Sequence, residues 1–292
     1  MHRSRDRTRS HARPAVSRAA PALLAAIGLL VGCGAPTTTE AVPLVAVSVL
    51  PQAWFVERIA GDRVRVAVMI PPGASPAFFE PTLAQVEAIA EAALYVAVGN
   101  LPFEAAWLDR LLAERGDLPV VSVSARAERD TDPHLWVSPR YARAMARSIH
   151  GALTQRLPQQ RNALDANLAG LLAEIDAVDD YCRRRLAPKR GGTFLVFHPA
   201  WGHFAEEYGL VQIAIERDGK EPDARALAER IRGARAAGVP VVFAQPHFNP
   251  ASAEIVAHAI GARVEILDPL AYAWGDNLRH VADALAGAAV VE

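Results

Sequence analysis

Short apolar runs recur along the chain, most of them closed by a turn residue or by a polar residue. Residues 44–50 (LVAVSVL) stop at Pro51, and residues 64–70 (VRVAVMI) stop at Pro71-Pro72-Gly73. Further runs occupy 93–98 (ALYVAV), 118–124 (LPVVSVS), 193–197 (TFLVF), 239–245 (VPVVFAQ) and 262–267 (ARVEIL). Runs of this length, bounded by breakers, predict strands. The segments between them carry apolar residues at three- and four-residue steps, so helices alternate with the strands. That alternation predicts an α/β fold with parallel sheets covered on both faces.

One segment interrupts the rhythm. From Pro158 to Leu186 the apolar positions Leu164, Leu168, Leu171, Leu172, Ile175 and Val178 mark one helical stripe, broken by no proline and only by Gly170. At about 1.5 Å per residue such a helix spans roughly 40 Å, more than one lobe needs. It lies near the middle of the mature chain and predicts two α/β lobes joined by one long connecting helix. The expected layout is 43–155 for an N-terminal lobe, 156–188 for the connecting helix and 189–292 for a C-terminal lobe. At 292 residues and 51 % hydrophobic composition, the chain is long enough for two lobes with cores.

The first residues follow a different logic. Residues 1–18 carry arginines and no lysine, and a short apolar run then ends at Leu30-Val31-Gly32-Cys33. The run is too short to span a bilayer and has the charged-then-apolar order of a secretory signal, expected over 1–32. LVGC resembles the bacterial lipobox, which implies lipidation of Cys33 and a flexible tether over 33–42. The plainer alternative is an ordinary signal with a chance cysteine. With Cys33 lipidated, Cys182 has no disulfide partner and reads as a structural thiol. The expected location is therefore periplasmic or cell-surface, anchored to the membrane through lipid. A formal net charge of −1 gives no electrostatic reason to expect nucleic acid as a partner.

Candidate chemistry sits at segment ends. Of nine histidines, His2 and His11 belong to the signal, while His150, His258 and His280 fall within helical patterns. His134 stands in DPHLWVSP, ahead of a helix opened by Ser138-Pro139. His198 follows the strand at 194–197, His203 comes five residues later, and His247 follows the strand at 241–244. Asp268 follows the strand at 264–267. Parallel sheets bind ligands beyond the carboxyl ends of their strands. Imidazoles with one carboxylate form the donor set of a zinc-like cation.

In order and spacing, PPGASPAFFEP, DPHLWVSP, FHPAWGHFAEEYGL with GKEP, and LDPLA resemble the metal-binding lipoproteins of zinc and manganese ABC importers, the ZnuA/TroA-like solute-binding proteins. The resemblance runs from about residue 43 to the end. It implies two α/β lobes on a long helix, a metal in the interlobe cleft and delivery to a membrane permease by a monomer that performs no catalysis. Carried over by motif, His134 is the donor from the N-terminal lobe, and His198 and Asp268 are donors from the C-terminal lobe. A histidine at 198 points to Zn2+, with Mn2+ as the alternative.

The chain departs from the pattern at one expected ligand, since Pro76 is followed by Ala77 where the family has histidine. Three readings stay open. His247 completes a tetrahedral site; water or Glu80 closes a three-donor site; or metal binding is lost and the cleft holds another ligand. His203 is expected beside the ligands or at the surface, and Glu206 and Glu207 on a solvated helix face. A zinc-dependent hydrolase built on His134, His198 and Asp268 is the rival from another class. No HExxH or similar motif supplies it with a general base. An adhesin-like surface lipoprotein with a structural metal is the third reading.

Overall fold

The computed structural model describes residues 41–76, 79–113, 115–122, 132–216, 224–246, 248 and 250–288. Cys33, Ala77, Phe78, the GKEP motif and His247 lie outside the described residues. All seven expected strands are present and, with one that was not expected, build two separate four-stranded parallel sheets. In the N-terminal lobe, β1 (Leu44–Val47), β2 (Arg65–Val68), β3 (Leu94–Ala97) and β4 (Val120–Ser122) stand in the order β2-β1-β3-β4. In the C-terminal lobe, β5 (Thr193–Val196), β6 (Val211–Ala214), β7 (Val241–Ala244) and β8 (Arg263–Ile266) repeat that order as β6-β5-β7-β8.

Central and edge strands differ as their sequences do. β1, β3 and β7 are apolar throughout and buried along their whole length. The sequence pattern missed β6, and the reason is its position. Val211 and Ile213 face outward at 50 % and 48 % exposure, while the polar Gln212 turns inward to accept the Trp201 N–H at 2.7 Å. An edge strand with apolar side chains outward carries no burial signature.

Helices cover both sheets: α1 (Leu50–Ala60), α2 (Leu83–Glu91), α3 (Asp109–Ala113), α4 (Pro139–Arg156), α5 (Arg161–Leu186), α6 (Gly202–Tyr208), α7 (Ala224–Ala236), α8 (Pro250–Ile260) and α9 (Trp274–Gly287). The expected long helix is α5, entered through one tight turn at Pro158–Gln160. Its stripe of Leu164, Leu171, Ile175, Val178, Cys182 and Leu186 is buried. That stripe packs on α1 and α4 from the first lobe and on α9 from the end of the chain.

The last helix ties the lobes together. α9 packs along α5, close enough that a Cβ on Gly275 would meet Val178 Cγ2 at 3.2 Å. Its first residue, Trp274, lies 5.8 Å from Trp54 and 5.5 Å from Phe55 between ring centroids, both on α1. One apolar core therefore runs from the first sheet through α5 to α9. A second core of Leu195, Phe197, Ile215, Val242 and Val256 packs with the second sheet. No helix among the described residues is long and apolar enough to cross a membrane.

Candidate metal centre

In each sheet the strand order turns at the first strand, β1 or β5, which places a crevice beyond its carboxyl end. His198 sits at that point in the second lobe, two residues after β5. The Gln245 side chain, just past β7, fixes its backbone: the His198 N–H donates to Gln245 Oε1 at 3.3 Å, and Gln245 Nε2 donates back to the His198 carbonyl at 2.9 Å. Phe248 stacks on the His198 ring at 4.9 Å.

His134 comes from the first lobe, where the chain makes a tight turn over Leu135–Val137 before entering α4. Trp136 lies edge-on to it at 5.4 Å and donates its indole N–H to the Pro269 carbonyl at 2.6 Å, while Trp274 donates to the Trp136 carbonyl at 2.6 Å. The two indoles thus pin the loop carrying His134 against the loop carrying Asp268. Across the cleft, the Nε2 atoms of His134 and His198 stand 3.3 Å apart.

Each imidazole leans on a carboxylate. His134 Nδ1 lies 2.6 Å from Asp132 Oδ1, which also accepts the His134 backbone N–H at 3.0 Å. His198 Nδ1 lies 2.7 Å from Glu216 Oε2. Burial pushes the His134 pKa below the ordinary imidazole range, against the opposing pull of Asp132. Burial also acts to raise Asp132, but the hydrogen bond and charge of His134 outweigh it and hold that carboxyl below its usual range. Asp268 is shifted up by burial, which the Leu270 N–H donated to its Oδ1 at 2.8 Å offsets only in part.

Of the four residues expected as ligands, the structure brings His134 and His198 into direct apposition. It places Asp268 in the loop packed against Trp136, and His247 is outside the described residues. Among the described residues no group of three or more His, Cys, Asp or Glu side chains is arranged to hold an ion. Glu80 is exposed.

Of the two places expected for His203, the structure gives the one beside the candidate ligands: it is buried and donates from Nε2 to the Asp132 carbonyl at 3.1 Å, so it supports the site from behind. Glu207 is not a solvated helix residue, because it accepts hydrogen bonds from the Ser138 hydroxyl and the Arg140 N–H at the start of α4. Sequence reasoning did not find Asp132 or Glu216. Asp132 stood within two residues of a motif histidine, a signal that was available. Glu216 had no such signal, because only the pairing of β5 with β6 brings it to His198.

Two parallel-sheet lobes of identical strand order, bridged by one long helix and meeting at a pair of imidazoles, define a two-lobed α/β protein of the solute-binding class. Residues 45–288 match the family model of ZnuA, the periplasmic zinc-uptake complex component A, and the chain belongs to that family. It is 23 % identical over 265 residues to the zinc-binding lipoprotein AdcA of Streptococcus pneumoniae serotype 4 (strain TIGR4), covering 82 % of this chain and 52 % of that protein. The chain thus spans about half the length of that relative. The high-affinity zinc uptake system protein ZnuA of Bacillus subtilis (strain 168) is 25 % identical over 244 residues, or 75 % of this chain and 76 % of that one. A crystal structure of ZnuA superposes with a TM-score of 0.80 at 38 % identity, covering 84 % of this chain and 98 % of its own.

Proposed function

We propose that this protein captures a divalent transition metal, Zn2+ before Mn2+, in the cleft between its lobes and passes it to the membrane permease of an ABC importer. The observation that carries the reading is the separation of the two imidazole nitrogens. Two nitrogens bound at about 2.0–2.1 Å to a tetrahedral zinc lie roughly 3.3–3.4 Å apart. His134 Nε2 and His198 Nε2 already stand 3.3 Å apart, one from each lobe. The relatives named for zinc binding and zinc uptake support the choice of ion.

His134 and His198 are the first two donors of the proposed site, with Asp268 and His247 completing it. In support, the carbonyl of Pro269, next to Asp268, is bonded to Trp136, two residues from His134. Gln245 and Phe248, which flank His247 in sequence, both rest on His198. In this reading Cys33 carries the lipid that holds the protein outside the membrane, as the lipoprotein designation of AdcA suggests. Capture and release require no turnover.

Zinc titrated into the metal-free protein, in competition with a chromophoric chelator, tests the proposal. One equivalent bound at nanomolar affinity or tighter supports it. Absence of binding, or binding only at micromolar concentrations, overturns it and leaves the cleft to another ligand.

A further inference from the structure

The two sides of the cleft are built alike. In the N-terminal lobe a carboxylate meets the Nδ1 of His134, and in the C-terminal lobe another meets the Nδ1 of His198. A carboxylate only accepts, so each Nδ1 carries a proton, and each ring in its neutral form presents an unprotonated Nε2. Those two lone pairs face each other at 3.3 Å, an arrangement that repels unless a cation lies between them.

Each carboxylate is itself held. Glu216 is 2 % exposed, and its other oxygen, Oε1, is buried without a hydrogen-bond partner among the described residues. The His198 Nδ1–H is the donor the described structure provides to this dry carboxylate. Asp132 is held from the opposite lobe. His203 on α6 donates to its carbonyl, and Gly202 leaves room for its carboxylate, since a Cβ there would lie 2.8 Å from Asp132 Oδ2. The C-terminal lobe therefore helps to build the donor that the N-terminal lobe contributes. Tyr141 of α4 closes the other side of His203 at 5.0 Å.

We propose that Asp132 and Glu216 are a matched pair of positioning residues that lock His134 and His198 in the Nδ1–H tautomer, aiming both Nε2 lone pairs at one point in the cleft. The inference rests on the reading of those histidines as metal donors. Its physical content is pre-organisation: the rings need neither turn nor change tautomer when the ion arrives, and ligand basicity rises. An amide in place of either carboxylate can donate to Nδ1, which would move the ring proton to Nε2 and block the donor atom.

The test uses Asp132→Asn and Glu216→Gln in the whole protein, each read in two ways. Nitrogen NMR of histidine-labelled, metal-free protein reports the tautomer, with the two rings assigned through His134→Ala and His198→Ala. In the unsubstituted protein both rings should be in the Nδ1–H form. Asp132→Asn should move His134, and Glu216→Gln should move His198, toward Nε2–H. Zinc affinity should fall roughly 10- to 100-fold in either variant, the scale of losing an outer-shell partner. Rings that stay Nδ1–H with zinc affinity unchanged would overturn the proposal and reduce the carboxylates to packing. Glu216 is buried, so if Glu216→Gln does not fold, the more exposed Asp132→Asn carries the test alone. Should the unsubstituted protein bind no zinc while the tautomers still shift, the metal reading fails and the positioning role stands.

Discussion

At the scale of single residues, the cleft depends on where a few atoms point. His198 is clamped on three sides: by Glu216 at Nδ1, by Phe248 on its face and by Gln245 through its backbone. His198→Ala removes a proposed donor that the fold has already oriented, and zinc affinity should collapse; a chelator-competition titration indistinguishable from that of the unsubstituted protein would remove His198 from the site. His247→Ala should weaken zinc at least ten-fold, and an unchanged curve would exclude it as the replacement for the histidine absent at Ala77. Gly202→Ala makes a subtler point. The added methyl group crowds the tip of the Asp132 side chain and touches Gln212 Nε2 at an ordinary 3.6 Å. Thermal stability should therefore change little while zinc affinity falls, because Asp132 must shift and His134 with it. Equal and large losses of both would show that the contact is purely steric. The histidines and Asp268 stood out in the sequence as candidates because they fall at segment ends, His198 and Asp268 just past strands and His134 ahead of the turn into α4. Their carboxylate partners did not, because Glu216 reaches His198 only through a strand pairing and looks ordinary along the chain.

Among elements, α5 and α9 carry the most consequence. α5 announced itself through periodicity, since its buried residues recur over about six turns interrupted only by Gly170. The role of α9 was hidden, because amphipathic spacing shows that a helix has a buried face but not what that face meets. Its partners are α5 along its length and, through Trp274, the first-lobe residues Trp54, Phe55 and Trp136. Close packing at Gly275 makes that seam sensitive to volume. Gly275→Leu should cost about 1–3 kcal/mol through overpacking against Val178, read as a lower urea midpoint with little change in slope. A midpoint unaltered by the substitution would mean that the seam yields without strain. β6 makes the complementary case, as its exposed Val211 and Ile213 hid it from any reading that equates apolar with buried.

For the molecule as a whole, buried ionisable groups at the junction of α5 and α6 set its response to alkali. Burial pushes the Cys182 thiol up to about 12 from an ordinary value of 9.0, and burial likewise raises the neighbouring Tyr208. In the unfolded chain both groups lose their protons at lower pH than in the fold. Stability is therefore intact below pH about 9 and declines as pH rises toward the folded values. Urea midpoints should drop over that interval, and less so in Cys182→Ala combined with Tyr208→Phe; parallel curves for the two proteins would refute the assignment. The sequence alone determined what depends on local chemistry. Breakers bounded the strands, unbroken periodicity drew the long helix, and strand-end imidazoles marked where an ion could be held. The tertiary structure decided what depends on distant segments meeting in space: what the last helix packs against, which strand hides at an edge, and which carboxylate holds each histidine. Contacts between residues as far apart as His134 and His198 leave no trace in spacing along the chain, because only the folded sheets and the helix between them bring those atoms within reach.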